Sequence, residues 1–282
     1  MNTVVPASLD HLLRLLAQNE PGNVLLAGGT DFNVQVRKGI LAPRRVLYMG
    51  GLSELQGVRM QGGRLRLGAL LTFGQLARDE LLLRHTPALC RHLGEFASPP
   101  VRNLATLGGN IANASPTADS LPPLLVRRAV LELTSLRGMR EVPLHEFFTG
   151  YKRNVMAPDE LISAILLPAD CEQGLRAFWR KVGTRRALII AKLSLAGLAR
   201  VENGRLAECR VAAGALNEYP RRLAAVEALL LATPLEQIAR AALHEALASD
   251  VTPIDDLRSD ADYRFETCLN LLESWLHELS GR

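Results

Sequence analysis

Apolar positions recur at helical spacing through SLDHLLRLLAQN (residues 8–19), with Ser8 where an N-cap belongs and Pro21-Gly22 as the stop. NVLLAGGTD then reads as a buried strand entering a glycine turn, DFNVQVRKG as a short helix and RRVLYM as a returning strand. This β–turn–α–β opening ends near Ser53. In a second stretch GGRLRLGAL predicts a strand, and TFGQLARDELLLRHTPALCRHLGEF a helical segment interrupted at Pro87. SLPPLLVRRA predicts a short helix, AVLELTSLRGMREVPL two strands about a turn, and ELISAILLP a further strand. Beyond it LRAFWRKVG and AKLSLAGLARV read as strands, and Asn203-Gly204 as a hairpin turn into RLAECRVAAGAL. Only helices follow, at 221–231, 235–248 and 261–279. These shifts in pattern put boundaries near residue 53 and near Pro168–Gly174, giving segments 1–53, 54–170 and 171–282.

One stretch fits neither period. ATLGGNIANASPTAD (105–119) has no helical apolar repeat and no strand alternation. It echoes LLAGGTD (25–31): in each, a small or apolar run enters a Gly pair followed by a small polar residue, Thr30 or Asn110. A Gly pair has two readings. One is a tight turn or a close backbone crossing. The other is a phosphate cradle, in which bare backbone lets successive N–H groups point at an anion. Two such loops suit one pyrophosphate, with Thr30, Thr106, Asn113 and Ser115 adding neutral donors. Neither loop is G-x-G-x-x-G or G-x-x-x-x-G-K-[ST], so neither a Rossmann site nor a P-loop is supported. Asp119 would repel a phosphate. It either caps the helix that begins at LPPLL or accepts hydrogen bonds from a ligand's hydroxyls or ring amine.

Composition narrows the chemistry. Hydrophobic residues make up 48% of the 282 and charged residues 22%, as in an ordinary globular protein with room for a sizeable core. The net charge of +4 comes mostly from dispersed arginines. No basic run is interleaved with aromatics, which argues against a nucleic-acid partner, and none is expected. Cys90, Cys171, Cys209 and Cys268 are far apart, which argues against a zinc ribbon or an iron–sulfur cluster within the chain. His85, Cys90 and His92 are close together in a helical segment and read as structural. MNTVVPASLDHLLRLL lacks a basic n-region and a small-residue cleavage site, and no apolar run reaches the roughly 20 residues that span a bilayer. The expectation is a cytoplasmic chain with reduced thiols and no membrane partner.

LLAGGTD with VQVRK after it, then F-A-x-x-x-V-R-N-x-A-T-x-G-G-N-I-x-N-A-S-P-x-A-D, resembles the flavin-binding subunit or domain of the xanthine dehydrogenase family, the molybdenum hydroxylases. The resemblance continues through FFTGYKRNVMAPDELISAILLP, FWRKVGTRRALIIAKLSLAGLARVENGRL and GALNEYPRRLAAVEALL, and so covers nearly the whole chain. It implies an α+β fold: the two-subdomain FAD-binding fold of the vanillyl-alcohol oxidase and p-cresol methylhydroxylase type, plus a C-terminal α+β domain. It also implies the site. Leu25, Leu26, Ala27, Gly28, Gly29, Thr30, Asp31 and Phe32 would wrap the FAD pyrophosphate, using the N–H groups of Gly28, Gly29 and Thr30. Thr106, Leu107, Gly108, Gly109 and Asn110 would do the same from the other side. Phe96, Leu161 and Ile162 would be apolar neighbours of the flavin. Asp119 matches an FAD-contacting acid, and Lys181 a lysine that contacts the same cofactor. Tyr151 opens a segment that lies near the flavin in relatives. The sequence departs from the family at Arg185-Arg186-Ala187-Leu188-Ile189-Ile190-Ala191, where relatives carry an acid before the final Ile-Ala.

The function so implied is electron transfer. A molybdopterin-binding large subunit and a [2Fe-2S] small subunit would hold the other centres, and FAD here would collect electrons singly and release a pair to NAD or another acceptor. GGTD in the first loop leans towards the xanthine or purine type rather than the carbon monoxide type. The alternatives are a carbon monoxide or aldehyde dehydrogenase-type flavoprotein subunit, a scaffold that has lost FAD, and a free-standing flavoenzyme. No group in this chain need act as a catalytic acid or base on the organic substrate, and no metal site is expected in it.

Overall fold

The computed structural model describes residues 2–185 and 189–281. The chain forms two compact units, one of residues 1–113, 129–149 and 154–169, the other of 114–128, 150–153 and 170–282.

In the first unit β1 (Asn2–Val4), β2 (Asn23–Leu26) and β3 (Arg45–Tyr48) make a parallel sheet in the order β1-β3-β2. The three residues of β1 are too few to carry a period, and sequence reading passes over them. The helix Leu9–Ala17 begins at Ser8, whose side chain accepts from the His11 N–H. Its Leu12, Leu13, Leu15 and Leu16 pack with Leu47, Leu52, Leu55, Leu70 and Leu161 into a core. β2 differs from expectation: it is an edge strand and only half-buried. Leu25 and Leu26 line a cavity instead of a closed core.

A second sheet follows. β4 (Val58–Gln61), β5 (Arg64–Gly68), β6 (Val130–Ser135) and β7 (Gly138–Pro143) are antiparallel. β8 (Phe148–Gly150) and β9 (Arg153–Asn154) flank the turn at Tyr151-Lys152. β10 (Leu161–Pro168) then takes the centre, in the order β4-β5-β10-β6-β7. Its apolar run, interrupted at Ser163, suits a strand covered on both faces. Its register against β6 shifts between Ile162 and Ala164, and Ser163 Oγ lies there 2.6 Å from Glu132 Oε1 and 2.7 Å from Thr134 Oγ1. The predicted helical segment between β5 and β6 is three helices, Phe73–Leu76, Glu80–His85 and Pro87–Gly94. Asp79 caps the second, and Pro87 starts the third rather than merely interrupting a longer one.

The second unit is built on β11 (Arg176–Val182), β12 (Leu193–Glu202), β13 (Arg205–Gly214) and β14 (Arg221–Arg222), all antiparallel neighbours in that order. Asn203 and Gly204, both with positive φ, make the β12–β13 turn as their sequence predicts. Helices Ala224–Ala232, Arg240–Asp250 and Ala261–Ser280 supply the other half of the core, in which Trp275 and Phe178 meet. The second of these starts later than predicted, because Pro234 leads into a short 3-10 turn at Leu235–Gln237. Residues 114–128 fold here too. Ala215 N–H donates to Pro116 O at 2.8 Å, and Arg210 Nη1 donates to Val126 O at 2.8 Å. The odd stretch 105–119 is thereby divided at Asn113. Among the described residues no helix is long and apolar enough to cross a membrane.

Candidate functional site

Both Gly pairs introduce short helices, Phe32–Arg37 and Leu107–Ala112. Each glycine has its own physical reason. A Cβ on Gly28 would lie 1.8 Å from Leu104 O, so the chain crosses there in bare backbone contact. Gly29 holds φ at +71°, where side chains are strained. Gly108 lies against Ala69, whose Cβ would be 2.7 Å from an added one. Gly109 is exposed. A Cβ on it would meet Thr106 Oγ1 at 2.7 Å and, further off, Ala27 of the first loop at 4.0 Å.

The two loops differ in what their N–H groups do. In the first, Asp31 stands at the helix start but its side chain caps nothing, and the N–H groups of Gly28, Gly29 and Thr30 have no acceptor among the described residues. In the second, Leu107 N–H donates to Leu71 O, Gly108 N–H to Ala69 O, Gly109 N–H to Thr106 Oγ1 and Asn110 N–H to Thr106 O. The expectation of two equivalent N–H cradles is corrected accordingly. The second loop's donors are held by its own cap and by the neighbouring backbone. What it offers a ligand is the side-chain-free surface at Gly109.

The loops line one cavity of about 410 Å³ within the first unit, a size typical of cofactor sites. Of the residues singled out from sequence, Leu25 to Phe32, Phe96, Thr106, Gly108, Gly109, Asn110, Leu161 and Ile162 line it. Leu107 is fully buried and does not. Phe96 stacks on buried Phe73 with centroids 4.0 Å apart, which fixes its ring. Gln35, Met49, Val101, Asn113 and Met156 line the cavity as well; of these the sequence singles out Asn113 alone, as a polar group near the second loop. Among the described lining residues Asp31 is the one ionisable group. An anion placed there is held by neutral dipoles.

Asp119 and Lys181 belong to the second unit and are brought together there. Lys181 Nζ donates to Asp119 Oδ2 at 2.5 Å. Asp119 does not cap the helix Leu121–Val126: Ser120 is its N-cap residue and makes no side-chain cap bond. Asp119 Oδ1 is buried with no partner among the described residues. Burial raises the Asp119 pKa above the usual aspartate value, against the opposing pull of Lys181. Tyr151 is exposed. Arg186, Ala187 and Leu188, in the segment where relatives carry an acid, lie outside the described residues, and Ile190 just after them is exposed. His85 Nδ1 lies 3.1 Å from Ala169 O, and among the described residues no His/Cys/Asp/Glu group could hold a metal.

The residues of this cavity fit an FAD molecule: open N–H donors beside glycines for the pyrophosphate and apolar walls for a ring system. Comparisons agree. Residues 1–170 match the model of the FAD binding domain in molybdopterin dehydrogenase, and 179–279 that of the CO dehydrogenase flavoprotein C-terminal domain. The xanthine dehydrogenase FAD-binding subunit of Escherichia coli O157:H7 is 34% identical over 96% of this chain and 93% of its own length. The nicotinate dehydrogenase FAD-subunit of Eubacterium barkeri is 28% identical over 82% and 79%. A chain of the carbon monoxide dehydrogenase from Hydrogenophaga pseudoflava superposes with a TM-score of 0.91 at 26% identity, covering 97% of this chain and 95% of that one.

Proposed function

Because the chain belongs to the family of FAD-binding subunits of molybdopterin dehydrogenases, we propose that it is the electron-transfer subunit of a molybdenum hydroxylase of the xanthine or purine type. It is an FAD-dependent oxidoreductase subunit. Its electrons come from the [2Fe-2S] clusters of a small subunit, which a molybdopterin-binding large subunit supplies, and leave to NAD or another acceptor. The GGTD loop and the 34% identity to a xanthine dehydrogenase subunit favour this type over the carbon monoxide or aldehyde type. The complex works in the cytoplasm.

The observation that carries the reading is the run of open N–H groups from Gly28 to Thr30, in a cavity whose lining offers no cation among the described residues. FAD, when bound, exchanges electrons singly or in pairs, and so couples one-electron clusters to a two-electron acceptor. The residues of this chain bind and tune it. Gly28, Gly29 and Thr30 donate to the pyrophosphate, and Gly109 lets the backbone approach it. Phe96, Leu161 and Ile162 keep water from the ring. Asp119 accepts from a cofactor hydroxyl or amine through Oδ1, and Lys181 supplies positive charge to the reduced ring or the phosphates. Segments 1–53, 54–170 and 171–282 are the three functional parts: β1 to β3 lie in the first, the sheet centred on β10 in the second, and β11 to β14 in the third. A scaffold that had lost FAD has no use for uncapped donors on bare backbone. The test is the visible spectrum of the purified chain after incubation with FAD and desalting. Retained flavin bands are expected, and their absence overturns the reading.

A further inference from the structure

Asp31 is a poor neighbour for a pyrophosphate. It is the one ionisable residue among the described cavity walls, and its charge repels an anion. Gln35, one turn along the same short helix, deals with it. Gln35 Nε2 donates to Asp31 Oδ2 and, at 3.2 Å, to Asn113 Oδ1. Asn113 ends the helix that the second Gly pair begins, and its own N–H donates to Gly109 O at 3.0 Å. All three residues line the cavity.

The chemistry fixes the orientation of both amides. A carboxylate only accepts, so Gln35 must turn its NH₂ group to Asp31, and that nitrogen has two hydrogens for two acceptors. Asn113 must then present its oxygen to Gln35. Its NH₂ group has no acceptor among the described residues. The Gln35 bond therefore occupies one lone pair of Asp31, the one ionisable residue among the described lining residues, ties the start of the first glycine-loop helix to the end of the second, and leaves the Asn113 amide with its donors unused.

We propose that Gln35 is a positioning residue for FAD: it masks Asp31 and orients the Asn113 NH₂ group as a donor to the cofactor's phosphates or hydroxyls. This rests on the reading above that the cavity takes FAD. Gln35 itself does not react.

The test uses the full chain stripped of flavin, titrated with FAD by fluorescence quenching between pH 6 and pH 8, with Gln35→Met and Gln35→Glu beside the wild type. Gln35→Met keeps the length and loses both bonds. Its FAD Kd should rise about tenfold at every pH, the size expected for one or two lost hydrogen bonds. Gln35→Glu sets a second carboxylate against Asp31. Its Kd should rise further than that of Gln35→Met, because it returns no donor to Asp31 and adds a second acid beside the phosphates. That order of affinities at matched melting temperature is one a packing role would not give, and Gln35→Glu holds the test should Gln35→Met fail to fold. A Gln35→Met or a Gln35→Glu variant with wild-type affinity overturns the positioning role while leaving FAD binding intact. A wild-type chain that takes no FAD overturns the cofactor reading, and this inference with it.

Discussion

Lys181 Nζ donates to Asp119 Oδ2 at 2.5 Å, while Asp119 Oδ1 is buried with no partner among the described residues. The pair is thus half-satisfied, and burial outweighs the lysine in setting the acid's pKa, which is raised. The sign for stability follows. A carboxyl that holds its proton more tightly when folded favours the folded state most at pH values below the unfolded pKa, about 4, and loses that contribution as pH rises through the folded value. Lys181→Met removes the cation and should raise the Asp119 pKa further. Stranding the carboxylate should cost about 3 kcal/mol near neutral pH and less as pH falls and Asp119 takes up its proton. Urea unfolding at pH 5 and pH 8 measures this. An equal cost at both values would show that the lysine serves packing alone.

The unpartnered Oδ1 gives a second prediction. Asp119→Asn keeps the shape but replaces one carboxylate oxygen with an NH₂ group. If Oδ1 accepts from the cofactor, FAD affinity should fall by about tenfold or more, the scale of one charge-assisted hydrogen bond. The stability of the flavin-free chain should lose its Asp119-dependent fall with pH. Unchanged flavin affinity would leave Asp119 as a partner of Lys181 only.

The glycines should separate by mechanism. Gly28→Ala places a Cβ 1.8 Å from Leu104 O and should unfold the first unit or lower its melting temperature sharply. Gly29→Ala meets only ordinary contacts, the nearest at 3.5 Å, and should cost about 1 kcal/mol for its positive φ. Gly109→Val disturbs the Thr106 cap, worth about 1 kcal/mol. It should leave the chain folded yet abolish flavin retention, by putting a branched side chain on the exposed surface that faces Ala27. Melting temperature and bound flavin, measured on all three, decide. A Gly109→Val chain with full flavin would remove the second loop from the site.

What the sequence could and could not tell is visible in these same residues. Strands with strong patterns, such as β10 and the β12–β13 hairpin, were legible because burial and turn chemistry leave a local mark. So was the pairing of the two Gly loops, through their shared run of small residues. Their difference was not. Whether an N–H is free depends on Leu71 O and Ala69 O, which come from the distant turn that leaves β5. Gln35 was invisible for the same reason: its link to Asn113 spans 78 residues. The Asp119–Lys181 pair lies across 62 residues, and the resemblance named both without linking them. The capping role considered for Asp119 also failed locally, because the chain turns at Ser120 instead.

The first unit holds a buried acid of opposite sign. Glu132 is pushed up by burial, but hydrogen bonds from Arg66 and Ser163 and the charge of Arg66 outweigh that and hold its pKa below the usual glutamate value. Arg66 Nη2 lies 2.6 Å from Glu132 Oε1, and both side chains are less than a tenth exposed. A depressed folded pKa contributes stability above the unfolded value, about 4.3, and loses it as pH falls through the folded one. Arg66→Met should therefore cost about 3–5 kcal/mol at pH 7, because it strands a buried carboxylate that Ser163 alone cannot satisfy. As pH falls towards 4, Glu132 in the variant protonates first, its raised pKa no longer opposed by the arginine, and the gap to wild type narrows. Glu132→Gln in the wild-type background should flatten the acid limb of the stability curve. Urea unfolding from pH 4 to pH 8 reads all three proteins. A cost of Arg66→Met that stays constant with pH would mean that the arginine supports the sheet through its stem, with no dependence on the charge of Glu132.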